Sequence, residues 1–311
     1  MNHIRVGLIG TGYWARVIHG PGVAQHPHAE LAGVWGRDAQ KTEHIASQLG
    51  TRAFADADQL IEAVDALTFA VPPAVQAPIA TRAAERHRHL LLEKPITTSA
   101  SEAQRLESAV AAAGVGSVVF FTRRFRPEIQ TWLERMRSTD DWQTGRAEFA
   151  SNIFVDGGPF SQSTWRREKG ALWDIGPHAL ALLWPVLGDV RSVMAAGGRG
   201  DQVHLVFQHA GGASSTASLT LTAPRAATGD AVYFDGERGR ETAPLPHLDT
   251  AEVIAAHQAA LSVLVDQMQH AGPGHACDVH FGARVVEVLA AAEQSLATGC
   301  ATPIAYQANV P

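Results

Sequence analysis

Short apolar runs alternate with helical patterns through the first 121 residues, and this alternation is the feature that most limits the possible folds. Parallel strands must be joined by long crossovers, usually helices, and strands covered on both faces are apolar throughout. The apolar runs fit that description, and in chain order they are IRVGLIG, LAGVWG, DALTFAV, RHLLLEK and SVVFF. The helical patterns between them span residues 13–26, 39–49, 74–86 and 99–113. The sequence therefore predicts an α/β fold in which helices cover both faces of a parallel sheet.

The pattern changes after residue 121, where apolar and polar residues begin to alternate. The stretches DQVHLVFQH and SSTASLTLT alternate, RAEFASNIFV nearly does, and HAGGA joins the first two as a hairpin turn would. Two long helical patterns, 250–270 and 279–297, close the chain. The 311 residues also exceed the size, about 250–300 residues, at which single cores usually stop growing. We therefore expect two domains, residues 1–121 and 122–311, the second an antiparallel sheet with helices on one side.

The charge and cysteine content argue against several classes of function. The net charge is −6, and the 25 Lys and Arg residues form no block of like charge, so nothing favours nucleic acid or a membrane surface as a partner. Cys277 and Cys300 are too few for a disulfide framework or a cysteine-based metal site. Arg5 interrupts the first apolar run, unlike a signal peptide, and no run approaches the roughly 18 residues of a membrane span. We expect a cytoplasmic protein without a bound metal.

A glycine motif follows the first apolar run. In VGLIGTGYWA, Gly10 permits a tight turn, Gly12 lets the backbone approach a pyrophosphate, and Ala15 lets the next helix pack closely on the sheet. The free N–H groups of that helix would face the phosphates. A glycine turn with no ligand is the alternative. Because the motif lies between a predicted strand and a predicted helix, it predicts dinucleotide binding.

The end of the second apolar run indicates which dinucleotide is bound. An acidic residue there would bond the ribose 2′-hydroxyl of NAD, but the sequence is VWGRD, with Gly36 in that place and Arg37 next to it. A guanidinium can stack on adenine and hold a 2′-phosphate, so NADP is preferred over NAD. Two alternatives stay open, because Asp38 could still reach the ribose and Arg37 could be an ordinary surface charge.

The fourth apolar run, LLLEKPIT, ends in Glu93, Lys94 and Pro95. Ligands of open parallel sheets bind beyond the carboxyl ends of the strands, so Lys94 is expected at the cofactor cleft. An ammonium there can orient a substrate hydroxyl or stabilise a developing alkoxide. The alternative is an ordinary Glu-Lys pair at a strand end.

Taken together, these stretches resemble the Gfo/Idh/MocA family of oxidoreductases. The resemblance extends over nearly the whole chain, through GLIGTGYWA, AVPP, LEKP, RRFRP, TWRREKGALWDIGPH and EVLAAAEQSLATG. It implies an N-terminal Rossmann domain, a C-terminal α+β domain with a large, mostly antiparallel open sheet, and nicotinamide-dependent chemistry on sugars, inositols or related polyols. It also implies a homodimer or homotetramer formed through the C-terminal sheet.

The resemblance implies a catalytic set of Lys94, Asp174 and His178. The last two are four residues apart, which places them on one helical face, and Pro177 is well tolerated in a first turn. With an ordinary pKa of about 6.5, an imidazole can exchange a proton near neutrality. We expect Lys94 of one domain to meet His178 of the other in the cleft between them. The alternative is that Asp174 caps the helix and His178 is structural.

The resemblance also implies a set of cofactor-contacting residues: Gly10, Thr11, Gly12, Tyr13, Trp14, Arg37, Val71, Pro72, Glu93, Lys94, Trp165 and Arg166. For Trp165 and Arg166, a core Trp beside a surface Arg is the alternative interpretation. Two positions depart from the family pattern, since Gln76 stands where histidine is usual and the glycine cluster before Asp174 is reduced to Gly170. Five other histidines have no partner spacing and are interpreted as structural or solvated: His19, His87, His89, His204 and His257.

The expected reaction is reversible hydride transfer between nicotinamide C4 and a carbon bearing a hydroxyl or carbonyl group. His178 would accept the hydroxyl proton, Lys94 would stabilise the oxygen, and Asp174 would bind a neighbouring hydroxyl or position His178. Two other functions stay open at this point. One is a dinucleotide-binding regulator without net catalysis, and the other is a redox-assisted glycosidase that retains its cofactor.

Overall fold

The computed structural model describes residues 3–245, 248–270 and 274–304. The chain forms two compact units. The first unit contains Met1–Arg126 and His247–Ala283, and the second contains Pro127–Pro246 and Arg284–Pro311. The two-domain division at residues 121 and 122 stays a prediction. The contacts divide the chain differently, because a late segment returns to the first unit.

The first unit contains a six-stranded parallel sheet with the spatial order β3-β2-β1-β4-β5-β6. Its strands are β1 (Ile4–Ile9), β2 (Ala29–Trp35), β3 (Ala53–Phe54), β4 (Ala66–Phe69), β5 (His89–Glu93) and β6 (Ser117–Phe120). The predicted Rossmann fold is confirmed, and the five apolar runs are its five longer strands. These strands are buried on both faces, which explains why their sequences are continuously apolar.

The helices are named in chain order over the described residues. They are α1 (Gly20–Ala24), α2 (Ala39–Gln48), α3 (Ala57–Ala63), α4 (Pro73–Glu85), α5 (Ala100–Ala113), α6 (Pro127–Arg137), α7 (Thr164–Asp174), α8 (Gly176–Leu187), α9 (Thr250–Gln269) and α10 (Val279–Thr298). Helix α9 packs on β5 and β6 of the first unit. A capping box between Asp249 and Glu252 starts it, which satisfies two backbone N–H groups.

The helix predicted over residues 13–26 differs from the observed one. Ala15–His19 forms a π-helical turn, and α1 follows it. Pro21 has no N–H to donate to the carbonyl four residues earlier, and the N–H of Gly20 bonds the carbonyl of Ala15, five residues earlier. The π turn therefore allows the chain to enter α1 at Pro21, and it carries His19 on a buried face.

The second unit contains a seven-stranded sheet in the order β12-β11-β7-β10-β9-β8-β13. Its strands are β7 (Trp142–Ala150), β8 (Val190–Gly197), β9 (Val203–His209), β10 (Ser214–Thr220), β11 (Gly229–Gly236), β12 (Gly239–Thr242) and β13 (Thr302–Pro303). Among the strands of the described residues, β7 and β10 alone pair in parallel, so the predicted mostly antiparallel sheet is confirmed. The HAGGA hairpin joins β9 to β10 as predicted.

One face of this sheet is covered by helices. Helix α8 packs on β7 and β10, and α6 and α7 pack on α8. The buried positions of β9 alternate with exposed ones, which matches the alternation of its sequence. The apolar residues Leu180, Leu182, Leu183 and Trp184 are buried and anchor α8 in its own unit. None of the helices in the described ranges is both long and apolar enough to cross a membrane.

Candidate functional site

The glycine loop of the first unit lies at the carboxyl end of β1, between β2 and β4. Gly10 has a φ of +133°, and a Cβ added to it would lie 2.4 Å from the carbonyl oxygen of Ala70. The Gly10 N–H donates to the carbonyl of Trp35 at 2.8 Å. Only glycine fits this position, because both the left-handed backbone and the close approach to Ala70 exclude a side chain. The loop is therefore held at the point where strand order reverses, which is where ligands of such sheets bind.

Gly12 leaves space for a ligand. A Cβ added to Gly12 would meet no atom of the described chain within 4 Å, so the backbone there faces open space. The helix that follows begins with the N–H of Arg16 donating to the carbonyl of Gly12 at 3.1 Å. A pyrophosphate binds where the backbone is open to close contact and where a helix N-terminus offers its N–H groups. The Gly12 loop and the helix that follows it have both properties. Tyr13 and Trp14 flank this loop, with their ring centroids 6.3 Å apart and edge to face.

The end of β2 carries no acidic side chain toward the loop. A Cβ on Gly36 would lie 2.6 Å from Cγ2 of Thr11, so the position expected for an acid is closed by Thr11. The carboxylate of Asp38 accepts the N–H of Lys41 at 3.0 Å and caps α2. Arg37 is exposed. The alternative role for Asp38 at the ribose therefore competes with its capping bond.

Val71 and Pro72 follow β4 at the same edge of the sheet. The side chain of Val71 lies 3.2 Å from the Cβ position of Gly10, and Pro72 is the N-cap residue of α4. Both are half-buried. The structure thus brings the glycine loop, the end of β2, the end of β4 and the end of β5 to one edge of the parallel sheet.

Gln76 fixes the backbone at the end of β5. Its side chain is fully buried, and its amide Nε2 donates to the carbonyls of Glu93, Pro95 and Ile96 at 2.8, 3.3 and 3.1 Å. Its Oε1 accepts the N–H of Glu93 at 2.8 Å. The glutamine that replaces the family's usual histidine therefore does not extend its side chain to the sheet edge at the glycine loop. Gln76 instead holds the chain on both sides of Lys94, which is half-buried.

The carboxylate of Glu93 is also held by the protein. Its Oε1 lies 3.1 Å from Nε2 of His19, and its Oε2 accepts the N–H of Lys94 at 3.0 Å. The Glu93 side chain is only 16% exposed. Glu93 was predicted to contact the cofactor, and the structure places its carboxylate between His19 and the backbone of Lys94. Sequence reasoning missed this role of His19, because the two residues are 74 positions apart.

Asp174 and His178, in the second unit, lie in two helices rather than in one. Asp174 is the last residue of α7, and His178 is the third residue of α8. The N-cap residue of α8 is Ile175, which makes no side-chain capping bond. Pro177 occupies the first turn of α8, as predicted.

Arg166 contacts Asp174 directly. Its Nε donates to Oδ2 of Asp174 at 3.0 Å, and both side chains are largely buried, 13% and 8% exposed. Eight residues of straight α-helix rise about 12 Å, too far for such a contact. Gly170 breaks α7 between them, with a φ of 61° and a ψ of −165°, and this kink lets Arg166 fold back on Asp174.

Aromatic rings hold the Arg166 guanidinium in place. It lies 4.5 Å from the ring centroid of Phe160 and 4.6 Å from that of Trp165. Arg166 and Trp165 were predicted to contact the cofactor. The structure gives Arg166 a carboxylate partner within its own unit, with Trp165 beside it, and the cofactor contact stays a prediction. In the described part of the chain, no three His, Cys, Asp or Glu side chains are grouped to hold a metal ion.

The first unit has a parallel sheet of strand order 3-2-1-4-5-6, with a glycine loop where the strand order reverses. The ends of β2, β4 and β5 lie at the same edge, and this arrangement defines a Rossmann-type dinucleotide-binding unit. The chain belongs to the Gfo/Idh/MocA family. Residues 4–121 match the model of the oxidoreductase family with an NAD-binding Rossmann fold. Residues 140–241 match the model of the GFO/IDH/MocA C-terminal domain. The resemblance inferred from the motifs is confirmed.

Known proteins resemble this chain at low identity. The glucose-6-phosphate 3-dehydrogenase of Bacillus subtilis is 26% identical over 188 residues, which cover 58% of this chain and 53% of that protein. The scyllo-inositol 2-dehydrogenase (NAD(+)) of the same organism is 24% identical over 278 residues, 87% of this chain and 76% of that one.

Solved structures extend the likeness over nearly the whole fold. GenD2 from gentamicin A biosynthesis, crystallised with NAD, superposes with a TM-score of 0.84 at 22% identity, covering 98% of this chain and 97% of GenD2. At this identity the likeness shows the fold alone. The chain spans about half the length of several curated relatives it matches, 53% and 52% in two of them.

Replacing Gln76 by leucine tests the support of the turn after β5. Leucine has nearly the same size but leaves the N–H and carbonyl of Glu93 without these bonds in a buried place. The free energy of unfolding should fall by about 3 kcal/mol, since each buried unsatisfied polar group costs about 1–3 kcal/mol. Chemical denaturation measures the change. The exposed Gln48 supplies the matched control, and Gln48→Leu should change stability by less than about 0.5 kcal/mol. Equal stability of the two variants would contradict this role.

Proposed function

We propose that this chain is a nicotinamide-dependent oxidoreductase acting on a hydroxyl or carbonyl carbon of a sugar, inositol or related polyol. One observation carries the proposal. At the end of β5, hydrogen bonds from side chains fix the backbone around Lys94, and this strand end lies at the same sheet edge as the open glycine loop. Family membership supports it, and so do relatives that are dehydrogenases of glucose-6-phosphate and of scyllo-inositol.

The dinucleotide would be held by the backbone of the Gly10–Gly12 loop and by the side chains along that edge. When bound, it supplies the hydride acceptor or donor at nicotinamide C4. Lys94 would donate hydrogen bonds to the reacting oxygen and stabilise negative charge that develops there. His178 would take the hydroxyl proton during oxidation and return it during reduction, since an imidazole exchanges protons near neutrality.

Asp174 would orient the substrate rather than donate a proton. A neighbouring guanidinium favours the ionised form of a carboxyl group, and an ionised carboxylate only accepts hydrogen bonds. Arg166 is such a neighbour, at 3.0 Å. The Asp174 carboxylate would therefore accept a bond from a substrate hydroxyl next to the reacting carbon. Trp165 and Arg166 would serve the site through this carboxylate and not through a cofactor phosphate.

His178→Asn tests the proposed proton transfer. Loss of a general base should lower kcat by about 10²- to 10⁴-fold, while the Kd for the dinucleotide changes little, because the glycine loop is untouched. Steady-state kinetics on the best substrate of a sugar and polyol panel, with calorimetric cofactor titration, measures both. His270→Asn, at an exposed position just after α9, is the control and should keep full turnover. Unchanged kcat in His178→Asn would remove His178 from this role, and cofactor binding without turnover on the whole panel would favour a regulator.

We propose further that NADP is preferred over NAD. Three features support this preference: Thr11 closes the position of the usual acid at Gly36, Asp38 is engaged as a helix cap, and Arg37 is exposed beside them. A 2′-phosphate would find a guanidinium there and no opposing carboxylate at the strand end.

Arg37→Ala tests the cofactor preference. The KM for NADPH should rise about tenfold, because a charge-assisted bond to the 2′-phosphate is lost, whereas the KM for NADH should stay within about twofold. The control is Arg105→Ala, on the exposed side of α5, which should leave both values unchanged. Equal increases for the two dinucleotides in Arg37→Ala would contradict the NADP assignment.

We also propose that the chain forms a homodimer or homotetramer through the open face of its second sheet. Met194 and Val206 are paired across β8 and β9, and they are 49% and 42% exposed. Thr216 continues the row on β10. A flat row that mixes apolar and small polar side chains suits contact with the same surface of a second copy.

The native mass tests this interface. Sedimentation should give a mass of two or four chains, and Val206→Asp should reduce it to one, because a carboxylate buried against a second apolar row lacks a partner. Leu296→Asp, at an exposed position of α10, is the control and should keep the assembly. A monomeric wild-type protein would contradict the proposal.

A cytoplasmic location is proposed on the cysteine chemistry. Cys277 and Cys300 are both free thiols. Free thiols persist in reducing compartments.

A further inference from the structure

Three buried side chains form a hydrogen-bonded row that ends on the carboxylate of Glu93. His19 Nε2 lies 3.1 Å from Oε1 of Glu93, and His19 Nδ1 lies 2.8 Å from Oγ1 of Thr68. Oγ1 of Thr68 lies 3.2 Å from Nε2 of His257. His19, Thr68 and His257 are each 0% exposed. They come from the π turn, β4 and α9, so the whole row lies within the first unit.

The chemistry of each group fixes the direction of these hydrogen bonds. An ionised carboxylate only accepts, so Nε2 of His19 must carry the proton that it donates to Glu93. The other nitrogen of a neutral ring is then an acceptor, and Nδ1 of His19 accepts the single hydroxyl proton of Thr68. The Thr68 oxygen is left to accept a proton from Nε2 of His257. The row therefore runs in one direction, from His257 toward Glu93.

The far end of the row agrees with this assignment. Nδ1 of His257 is buried and bonds no group of the described chain. A Cβ on Gly22 would lie 2.4 Å from it, so this edge of the ring lies against the Gly22 backbone. A proton on that nitrogen would be a buried donor without an acceptor, whereas the assigned direction leaves only a lone pair there. Burial also lowers the pKa of His257 well below its usual value, which keeps this ring neutral.

A second proton on His19 does not fit this set of hydrogen bonds. A charged His19 would have to donate from both nitrogens, so the Thr68 hydroxyl would turn to His257 and force the His257 proton onto Nδ1. Besides Thr68, the groups that face His19 are Glu93 from β5, His257 from α9 and the ring edge of Phe120 from β6. The one negative group among them is Glu93. A neutral donor orients the Glu93 carboxylate and leaves its charge in place beside Lys94.

We propose that His19, oriented by Thr68 and His257, is a positioning residue that holds Glu93 as an oriented carboxylate beside Lys94 through a neutral Nε2–H donor. Glu93 in turn bonds the backbone N–H of Lys94, so the row acts on the lysine only through Glu93. The inference rests on the proposed function for the role of Lys94. The row itself is a property of the protein and can be measured without any substrate.

The direct test is the protonation state of the rings. Long-range ¹H–¹⁵N spectra of wild-type protein labelled at histidine should show His19 and His257 protonated at Nε2 only, from pH 6 to pH 8. His19→Gln and His257→Gln spectra assign the two signals. A proton on Nδ1 of either ring, or a doubly protonated His19 in this range, would overturn the proposal. Neither result depends on turnover, so an inactive protein with the expected spectra would remove the proposed function and keep the row.

Thr68→Val and Thr68→Ser test the effect on the reaction. Valine matches threonine in shape and removes the hydroxyl, so kcat should fall about tenfold or more, because small misplacement of a reacting group is costly. The KM for the dinucleotide should stay within about twofold, since the glycine loop is unchanged. Serine keeps the hydroxyl and should restore kcat. Equal loss in both variants, or a loss in KM alone, would show a packing role and overturn the proposal.

Discussion

The backbone around Lys94 is held by buried hydrogen bonds from two directions, and the account of the site depends on this constraint. Gln76 bonds the main chain on both sides of Lys94, and His19 bonds the carboxylate of Glu93. Each bond satisfies a polar group that would otherwise be buried without a partner, at a cost of about 1–3 kcal/mol. The position from which the lysine side chain begins is therefore set by the folded core rather than by a ligand.

In the second unit, a helix kink and aromatic rings hold the candidate site residue Asp174 in place. Gly170 breaks α7 so that Arg166 reaches Asp174, and Phe160 and Trp165 hold the guanidinium beside that carboxylate. In the first unit, Gly10 keeps the loop close to β4 by lacking a side chain. In both units an unusual glycine conformation lies at the candidate site, where local strain is commonly found in proteins. Regular strands and helices around these glycines supply the rigidity.

Much of the fold could be predicted because its signals are local. The five longer parallel strands are continuous apolar runs. Helices α2, α4, α5, α9 and α10 carry a helical apolar period, and the glycine motif identified the sheet edge where ligands bind. Strand β3 and helix α3 are two and seven residues long, too short for a period to be visible. The π turn depends on Pro21, and the separation of Asp174 and His178 into two helices depends on the kink at Gly170. Neither effect is a periodic signal.

The rest of the site is held by contacts between residues far apart in the chain. Thr68 is 49 residues from His19 and 189 from His257, and no spacing rule connects them. The sequence favours His19 and His257 as structural or solvated, because no partner spacing is visible. Their partners are brought to them by strand order and by the return of α9 to the first unit. The sequence shows that Gln76 replaces the histidine usual in the family. Its role became clear only from the structure, where its side chain bonds the backbone at the end of β5. Sequence patterns located the site edge, and only the tertiary structure showed what supports it.

The most direct test of the central claim is calorimetric titration of NADPH and NADH into the wild-type chain and into Gly12→Leu. A leucine at this position contacts no atom of the described chain near its Cβ, so the fold should be kept while the approach of a pyrophosphate is blocked. The account predicts saturable binding of one dinucleotide per wild-type chain, and none to folded Gly12→Leu. No binding of either dinucleotide to the wild-type chain, or equal binding to both proteins, would contradict it.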